Sequence, residues 1–518
     1  MRTIHSIKNL ITGLGLSLIM ILMGFITRRI FIDNIGIEYL GLNGLLQNIL
    51  GAMTILESGF AGSVVYNMYK PLAENNQPEI IALLQLYKKV YRYIALGIFI
   101  CAIALLPFID HFIEGSNDLS YVTIVYVIYL FNSLVNYFTA YKWSIINASQ
   151  QNYKLAKINL IYQLGLNISK ILILSLTQDY ILYLIIESIY GIGLNIAIVR
   201  KANKLFPYIV TSKKYDVPAD VKKNITTNMK ALFLHGIGGY FMHSTDNIII
   251  SSYLGLGAVG LLSNYTLITS TIKGFASQVL CSYSESVGNL IATESNEKIY
   301  KIFQTLFFVN YITISIPVII LFNTITPFVK WWLGDSYVLP NCILGIILFN
   351  FYIDNMRSSA LTFKTKSGIF VQDRFSPFLQ GCINLIFSLL LVKHIGLAGV
   401  LLATGISILS IGFWQFPKLI YKYTFRKPVM TYFRLYIKYT LIALIALITS
   451  YALCSFCSIN NCLLKMITNC TISIVVTIII YTIFYHKTPV VTDILFRLKF
   501  ITNKLYDNSA HTDTDSLP

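Results

Sequence analysis

Long apolar stretches, separated by short polar segments, run along most of the chain. Each stretch is close to the roughly 20 residues that an α-helix needs to cross a bilayer. The pattern therefore predicts about fourteen transmembrane helices. Their approximate bounds are 9–30, 40–66, 91–109, 119–143, 155–176, 180–199, 231–253, 258–283, 302–325, 338–360, 376–394, 396–417, 435–456 and 466–485.

Composition leads to the same class of protein. Of the 518 residues, 55% are hydrophobic and only 12% are charged, and the mean hydropathy is +0.66. A water-soluble domain carries about a quarter charged residues. The chain is therefore expected to be an all-α integral membrane protein. Its net charge of +17 would suit nucleic acid only on a basic soluble domain, and the pattern contains no such domain.

The charge is explained by topology. If the N-terminus is cytoplasmic, the predicted inner segments hold roughly six times as many Lys and Arg residues as the outer ones, which is the positive-inside bias. Arg28 and Arg29 directly follow the first helix, which lacks a small-residue cleavage site and is interpreted as a retained span. We expect both termini on the cytoplasmic side of the membrane.

A repeat links two parts of the chain. A shift of 219 residues carries four residues onto identical ones, at the same place between the first and second helices of each half. They are Ile30, Gly36, Gly41 and Leu42, which fall on Ile249, Gly255, Gly260 and Leu261. Six helices separate the copies, so both halves would enter the membrane in the same direction, with a site where they face each other.

This repeat predicts the division of the chain. Residues 1–199 form an N-terminal six-helix half, 200–230 a basic cytoplasmic linker, and 231–417 a pseudo-symmetric six-helix half. Residues 418–485 add two transmembrane helices. Residues 486–518 form an amphipathic segment on the inner leaflet and a disordered tail.

Three segments carry a family resemblance. They are RRIFIDNIGIEYLGLNGLLQNILGAMTILESGFAG after the first helix, STDNIIISSYLGLGAVGLLSNY in the seventh, and WWLGDSY after the ninth. With the two six-helix halves, they resemble the polysaccharide repeat-unit flippases of the MOP exporter superfamily, relatives of lipid II flippases and MATE exporters. The resemblance implies transport of undecaprenyl-pyrophosphate-linked oligosaccharide to the outer leaflet by alternating access, with polysaccharide polymerase machinery as a further partner.

A pyrophosphate cargo requires a polar, cationic cleft, because charge enters hydrocarbon at a high cost. The fifth helix has one polar stripe, at steps of 4, 4 and 3 residues: Asn159, Gln163, Asn167 and Lys170. Lys170 lies about 22 Å from the cytoplasmic end of the helix, too deep to reach water easily. Since no partner is evident locally, we expect Lys170 to face the cleft; the amides could instead hold neighbouring helices.

The seventh helix places Asp246 beside a block of isoleucines, with His235 and His243 on a similar face. Asp246 is predicted to bind a coupling ion, H⁺ or Na⁺, or to gate the cleft, and His243 is a weaker candidate for protonation. A static ion pair between Asp246 and Lys273 is an equally good interpretation.

Further cations complete the predicted site. In the tenth helix Asp354 and Arg357 have the spacing of a local ion pair, and Lys273 lies in the eighth helix near polar residues. The resemblance implies a first-helix arginine in the cationic site; it is assigned to Arg28, and Arg29 is the alternative position. The predicted substrate-binding set is Arg28, Asn159, Gln163, Asn167, Lys170, Lys273 and Arg357, and the ion-coupling or gating set is Asp246, His243 and Asp354.

Other functions fit less well. The sequence contains no Walker A motif and no nucleophile elbow, and the CxxC pair of Cys454 and Cys457 lacks the further thiols of a zinc ribbon, so we predict neither an enzyme nor a cofactor. A MATE-like exporter of small cations and a peptidoglycan-precursor flippase are the alternatives. A polysaccharide polymerase or glycosyltransferase is less favoured because the predicted outer loops are short. A disulfide near Cys457 and Cys462 is left open.

Overall fold

The computed structural model of the chain describes residues 19–57, 60–113, 119–149, 151–369, 371–457 and 459–493. These residues are almost entirely helical, and none of them is in a β-strand. The helices are α1 (19–34), α2 (Ile37–Met53), α3 (Phe60–Ala73), α4 (Gln77–Leu105), α5 (Leu119–Ala148), α6 (Tyr153–Thr177), α7 (Tyr180–Leu205), α8 (Ala219–His243), α9 (Thr245–Thr293), α10 (Asn296–Trp332), α11 (Asn341–Met356), α12 (Ser358–Lys366), α13 (Ser376–Ser407), α14 (Phe413–Ile420), α15 (Met430–Phe456) and α16 (Cys462–Tyr485).

Within the described ranges, nine helical stretches are long and apolar enough to cross a membrane. Two of them, Gly236–Gln278 and Ser376–Phe425, contain 43 and 50 residues. At 1.5 Å per residue the longer one would reach about 75 Å, far beyond a hydrocarbon core of about 30 Å. Non-helical backbone at Gly255 and at Ile395–Gly396 breaks them, so each is consistent with two crossings.

The other predicted spans consist of shorter pieces. Helices α2 and α3 share one predicted span, α11 and α12 share another, and the first predicted span lies partly outside the described residues. The predicted class, an all-α membrane protein of about fourteen helices, is confirmed. The predicted amphipathic segment and tail lie almost wholly outside the described residues.

The chain divides into two compact units. The first comprises Met1–Leu267 and Arg374–Thr404. In it α5 packs against α4 and α7, α6 packs against α7, and α3 packs against α8. Most of the predicted 200–230 linker is helical here, because α7 continues to Leu205 and α8 begins at Ala219.

The second unit comprises Ile268–Asp373 and Gly405–Pro518. Its core joins α10, α15 and α16 through buried aromatic rings, among them Phe307, Tyr311 and Tyr439. Asn323 Nδ2 donates to Ser450 Oγ at 3.0 Å and to Ser473 Oγ at 2.9 Å, which links the three helices. Interhelical hydrogen bonds of this kind hold helices together where lipid provides no hydrophobic drive. The additional helix pair α15 and α16 is thus an integral part of this unit.

Candidate transport site

Arg28 is held by neutral oxygen atoms. Helix α1 places its Nη1 atom 2.8 Å from Ser263 Oγ and 3.4 Å from Asn264 Oδ1, both on α9. None of the ion pairs found among the described residues includes Arg28. The guanidinium is therefore solvated by dipoles, and no carboxylate in the described part of the chain neutralises its positive charge.

Asn264 adds a second feature. The residue is completely buried, and its Oδ1 atom faces Arg28. Its Nδ2 atom is buried and has no hydrogen-bond partner among the described residues. A buried unsatisfied donor is costly, and each one in a folded protein calls for an explanation. Arg28 and Asn264 together offer a cation and an amide donor, the groups that bind an anion.

Lys170 has a partner that the sequence analysis did not assign. Its Nζ atom lies 2.9 Å from Glu187 Oε2 and 4.4 Å from the ring centroid of Tyr183, both on α7. Lys170 is 9% exposed, whereas the Glu187 side chain is 40% exposed. The expectation of a lysine without a partner is therefore corrected.

The rest of the α6 stripe is divided. Asn167 accepts a long hydrogen bond of 3.4 Å from Thr27 Oγ1 on α1 and donates to the Gln163 carbonyl at 2.9 Å. The side chains of Asn159 and Gln163 are exposed. Asn167 thus ties α6 to α1 beside Arg28, while the other two amides are accessible.

Asp246 lies at the end of a chain of hydrogen bonds within the first unit. Asn384 Nδ2 donates to Thr404 Oγ1 at 3.1 Å, and Thr404 donates to Asp246 Oδ2 at 2.8 Å. The buried side-chain oxygens without a hydrogen-bond partner among the described residues include Asp246 Oδ1, Asn384 Oδ1 and, one turn further along α13, Ser388 Oγ. Carboxylate, amide and hydroxyl oxygens are the ligands that hard cations such as Na⁺ accept.

Asp354 has two cationic partners in the second unit. Arg357 Nη2 lies 2.6 Å from Asp354 Oδ1, and Lys273 Nζ lies 3.2 Å from Asp354 Oδ2. The predicted Asp354–Arg357 pair is present, and the Lys273 ammonium is engaged by Asp354. Arg357 is buried, 5.3 Å from the Phe416 ring centroid. The cluster carries one net positive charge.

Two histidines and the cysteines complete the predicted positions. The side chains of His235 and His243 lie outside the described part of the structure. The cysteine pair left open by the sequence, Cys457 and Cys462, is not bridged, and both thiols are free.

The repeat marks a reciprocal contact between α2 and α9. Gly36 and Gly255 precede the two segments with φ of 107° and 80°, a backbone region that favours glycine. A Cβ atom on Gly41 would lie 1.9 Å from the Leu256 carbonyl oxygen, and one on Gly260 would lie 2.3 Å from that of Ile37. The 219-residue shift relates the two contacts, so equivalent residues occupy equivalent positions.

Comparison with solved structures places this fold among known ones. The chain matches no family model and no curated protein. An inward closed conformation of the lipid II flippase MurJ matches with a TM-score of 0.69 and 17% identity, over 92% of this chain and 99% of that one. The Vibrio cholerae MATE transporter VcmN matches with a TM-score of 0.56 and 13% identity, over 79% and 95%.

An inward-facing multidrug resistance transporter of the MATE family and MOP superfamily matches with a TM-score of 0.53 and 14% identity, over 77% of this chain and 94% of that one. At these identities the likeness concerns the fold. The chain therefore has the helical fold of these solved transporters, the lipid II flippase MurJ and the MATE proteins.

Proposed function

We propose that the protein is a bacterial inner-membrane flippase that moves undecaprenyl-pyrophosphate-linked oligosaccharide from the cytoplasmic to the outer leaflet by alternating access, and that it is not an enzyme. The proposal rests on Arg28, a cation without a carboxylate among the described ion pairs, next to the unsatisfied amide donor of Asn264. Cations and hydrogen-bond donors bind phosphate groups. Without such groups, moving the charges of a pyrophosphate through hydrocarbon would be prohibitively costly.

The fold comparison supports a flippase over an exporter of small cations. The MurJ structure is matched over 92% of this chain, and the two MATE structures over 77–79%. An exporter of cations would need free carboxylates. Glu187 is paired with Lys170, and Asp354 with Arg357 and Lys273, so of these acids only Asp246 has a carboxylate left unpaired among the described residues, and we assign it to ion coupling. A peptidoglycan-precursor flippase uses the same headgroup chemistry and is the closer alternative.

Replacing Arg28 tests the anion site. Purified protein is reconstituted into liposomes with fluorescent lipid-linked oligosaccharide, and flipping is measured by quenching from one side. Arg28→Gln is expected to lower the flipping rate about tenfold to a hundredfold, since a hydrogen bond to a charged group contributes about 1.5–3 kcal/mol.

Arg29→Gln is the matched control, because Arg29 is half-exposed and pairs with Asp33 at 3.5 Å on the surface. It should flip at the rate of the parent protein. Equal rates for Arg28→Gln and the parent would contradict the proposed anion site.

We further propose that Asp246 couples transport to H⁺ or Na⁺. A buried carboxylate oxygen without a partner is stabilised by a bound proton or cation. Asn384, which reaches Asp246 through Thr404, has a further buried oxygen without a partner among the described residues, and amide oxygens are ligands that a Na⁺ ion accepts as well. A bound proton or a bound Na⁺ ion would each neutralise the Asp246 carboxylate, and the Na⁺ dependence of the melting temperature distinguishes the two.

Asp246→Asn is expected to make flipping independent of imposed Na⁺ and pH gradients. Direct binding provides a second measurement: the Na⁺-dependent increase in the melting temperature of the parent should disappear in the variant if Na⁺ is the ion. Asp335→Asn, which changes an exposed carboxylate paired with Lys330, is the control. Unchanged gradient dependence in Asp246→Asn would exclude this residue as the coupling group.

A further inference from the structure

We infer that the first unit carries a separate site for neutral sugar residues, formed by the turns at one end of its helices. The inference rests on the proposed function, since it assigns this site to the glycan part of the same cargo. The observation is a cavity of about 730 Å³, within the range of about 300–1,000 Å³ that is typical of small-molecule sites.

The cavity lies where five helices begin or end. Its polar lining comes from the end of α3, the α3–α4 turn, the α5–α6 turn and the segment after α7. The residues are Tyr69, Asn75, Gln77, Ser149, Gln151 and Tyr208. The distribution of Lys and Arg predicts that this end is cytoplasmic, the side on which the lipid-linked cargo is made available.

None of the eleven described residues that line the cavity is charged. This is unexpected at the predicted cytoplasmic ends of the helices, where most Lys and Arg residues lie. It disfavours a phosphate or a nucleotide as the ligand. The adjoining cavity, which shares Tyr69, is lined instead by Lys70, Glu79 and Asp220. Partial burial raises the pKa of Tyr208, so its hydroxyl stays protonated and neutral. The cavity therefore suits a neutral, polar ligand.

The lining has the chemistry of sugar recognition. Amide side chains both donate and accept hydrogen bonds, as sugar hydroxyls do. Aromatic rings such as Tyr69 and Tyr208 offer apolar faces together with a polar hydroxyl. Lys154 Nζ donates to Gln151 Oε1 at 2.8 Å, which turns the Nε2 group of Gln151 away from the lysine.

The turns that carry these groups are held by their own hydrogen bonds. Gln77 N donates to the Asn75 carbonyl at 3.0 Å, and Asn76 caps α4 by accepting from Glu79 N. In the other turn, Gln151 N donates to the Ile146 carbonyl at 2.9 Å. A wall fixed before binding loses little conformational entropy when a ligand arrives.

The test compares three probes on the purified full-length protein by isothermal titration calorimetry. They are the lipid-linked oligosaccharide, the oligosaccharide released from it by mild acid, and undecaprenyl pyrophosphate without sugar. The double variant Gln77→Ala/Tyr208→Ala should bind both sugar-containing probes about tenfold or more weakly and bind undecaprenyl pyrophosphate as the parent does. Arg28→Gln should instead weaken undecaprenyl pyrophosphate binding.

A second cavity variant and a matched control complete the test. Ser149→Trp fills the cavity from the α5–α6 turn and should reproduce the loss. Gln372→Ala/Tyr423→Ala changes the same residue types outside the cavity and should have no effect. Equal affinity of the parent and both cavity variants for the released oligosaccharide would overturn this inference alone. Failure of the parent to bind any of the three probes would overturn the proposed function as well.

Discussion

Gly41→Val is expected to lower flipping tenfold or more, with Gly260→Val giving a similar loss. Each side chain would place carbon atoms within 2.3 Å of a carbonyl oxygen, that of Leu256 or of Ile37, and backbone at both sites leaves no flexible side chain to move aside. Overpacking costs about 1–3 kcal/mol even in adaptable cores. Under the proposed alternating access, this cost falls on the state in which α2 and α9 touch, and the population shifts to the others.

Gly257→Ala is the matched control. Gly257 lies on the same segment as Gly260, and a Cβ atom there would meet nothing within 4 Å. Hydrogen–deuterium exchange provides the second measurement: amides of residues 256–261 should exchange faster in Gly41→Val than in the parent or in Gly257→Ala. Parent-like exchange and flipping in Gly41→Val would mean that the close approach is not needed for transport.

The helices and the breaks between them were predictable from the sequence. A bilayer imposes a run of about 20 apolar residues on each crossing, and the breaks at Gly255 and Gly396 coincide with glycines that adopt positive φ. The shift of 219 residues pointed to Gly41 and Gly260 without showing that each meets the other repeat's backbone. That contact depends on tertiary packing, which residue identities alone do not encode.

The partner of Lys170 was within reach of the sequence. Lys170 lies eight residues before Gln178, and Glu187 lies eight residues after Asp179, so a tight turn between α6 and α7 places them opposite each other. Gln178 has φ of 54°, and Asp179 accepts hydrogen bonds from Ile181 N and Leu182 N, which makes the turn tight. An acid at the mirror position of a hairpin is therefore a usable signal.

No comparable signal existed for the hydrogen-bond partners of Asp246. Its partner Thr404 is 158 residues away, and Thr404 and Asn384 are ordinary polar residues within apolar helices. Nothing in their local spacing points to Asp246, because the three meet only when α8–α9 and α13 pack in the same unit. Hydrogen-bond chains formed by distant helices have to be seen in three dimensions.

Substitutions at Lys170 and Glu187 separate a substrate-binding lysine from a structural ion pair. If Lys170 contributes its charge to the cargo, Lys170→Gln should lower flipping about tenfold or more, while Glu187→Gln should keep it, because the cation is retained. The double variant should then resemble Lys170→Gln. If the pair is only structural, both single variants should lose activity through the remaining unpaired charge, and the double variant should recover it.

The melting temperature distinguishes the two outcomes independently. Breaking a fully buried pair costs about 3–5 kcal/mol, but the Glu187 side chain is 40% exposed, so Lys170→Gln should cost less. We expect the folded fraction of both single variants to stay high enough for reconstitution, so that a loss of flipping in Lys170→Gln reports on the cargo. Recovery of flipping in the double variant would show that Lys170 does not contribute to cargo binding. Arg28 would then be the principal cation of the site.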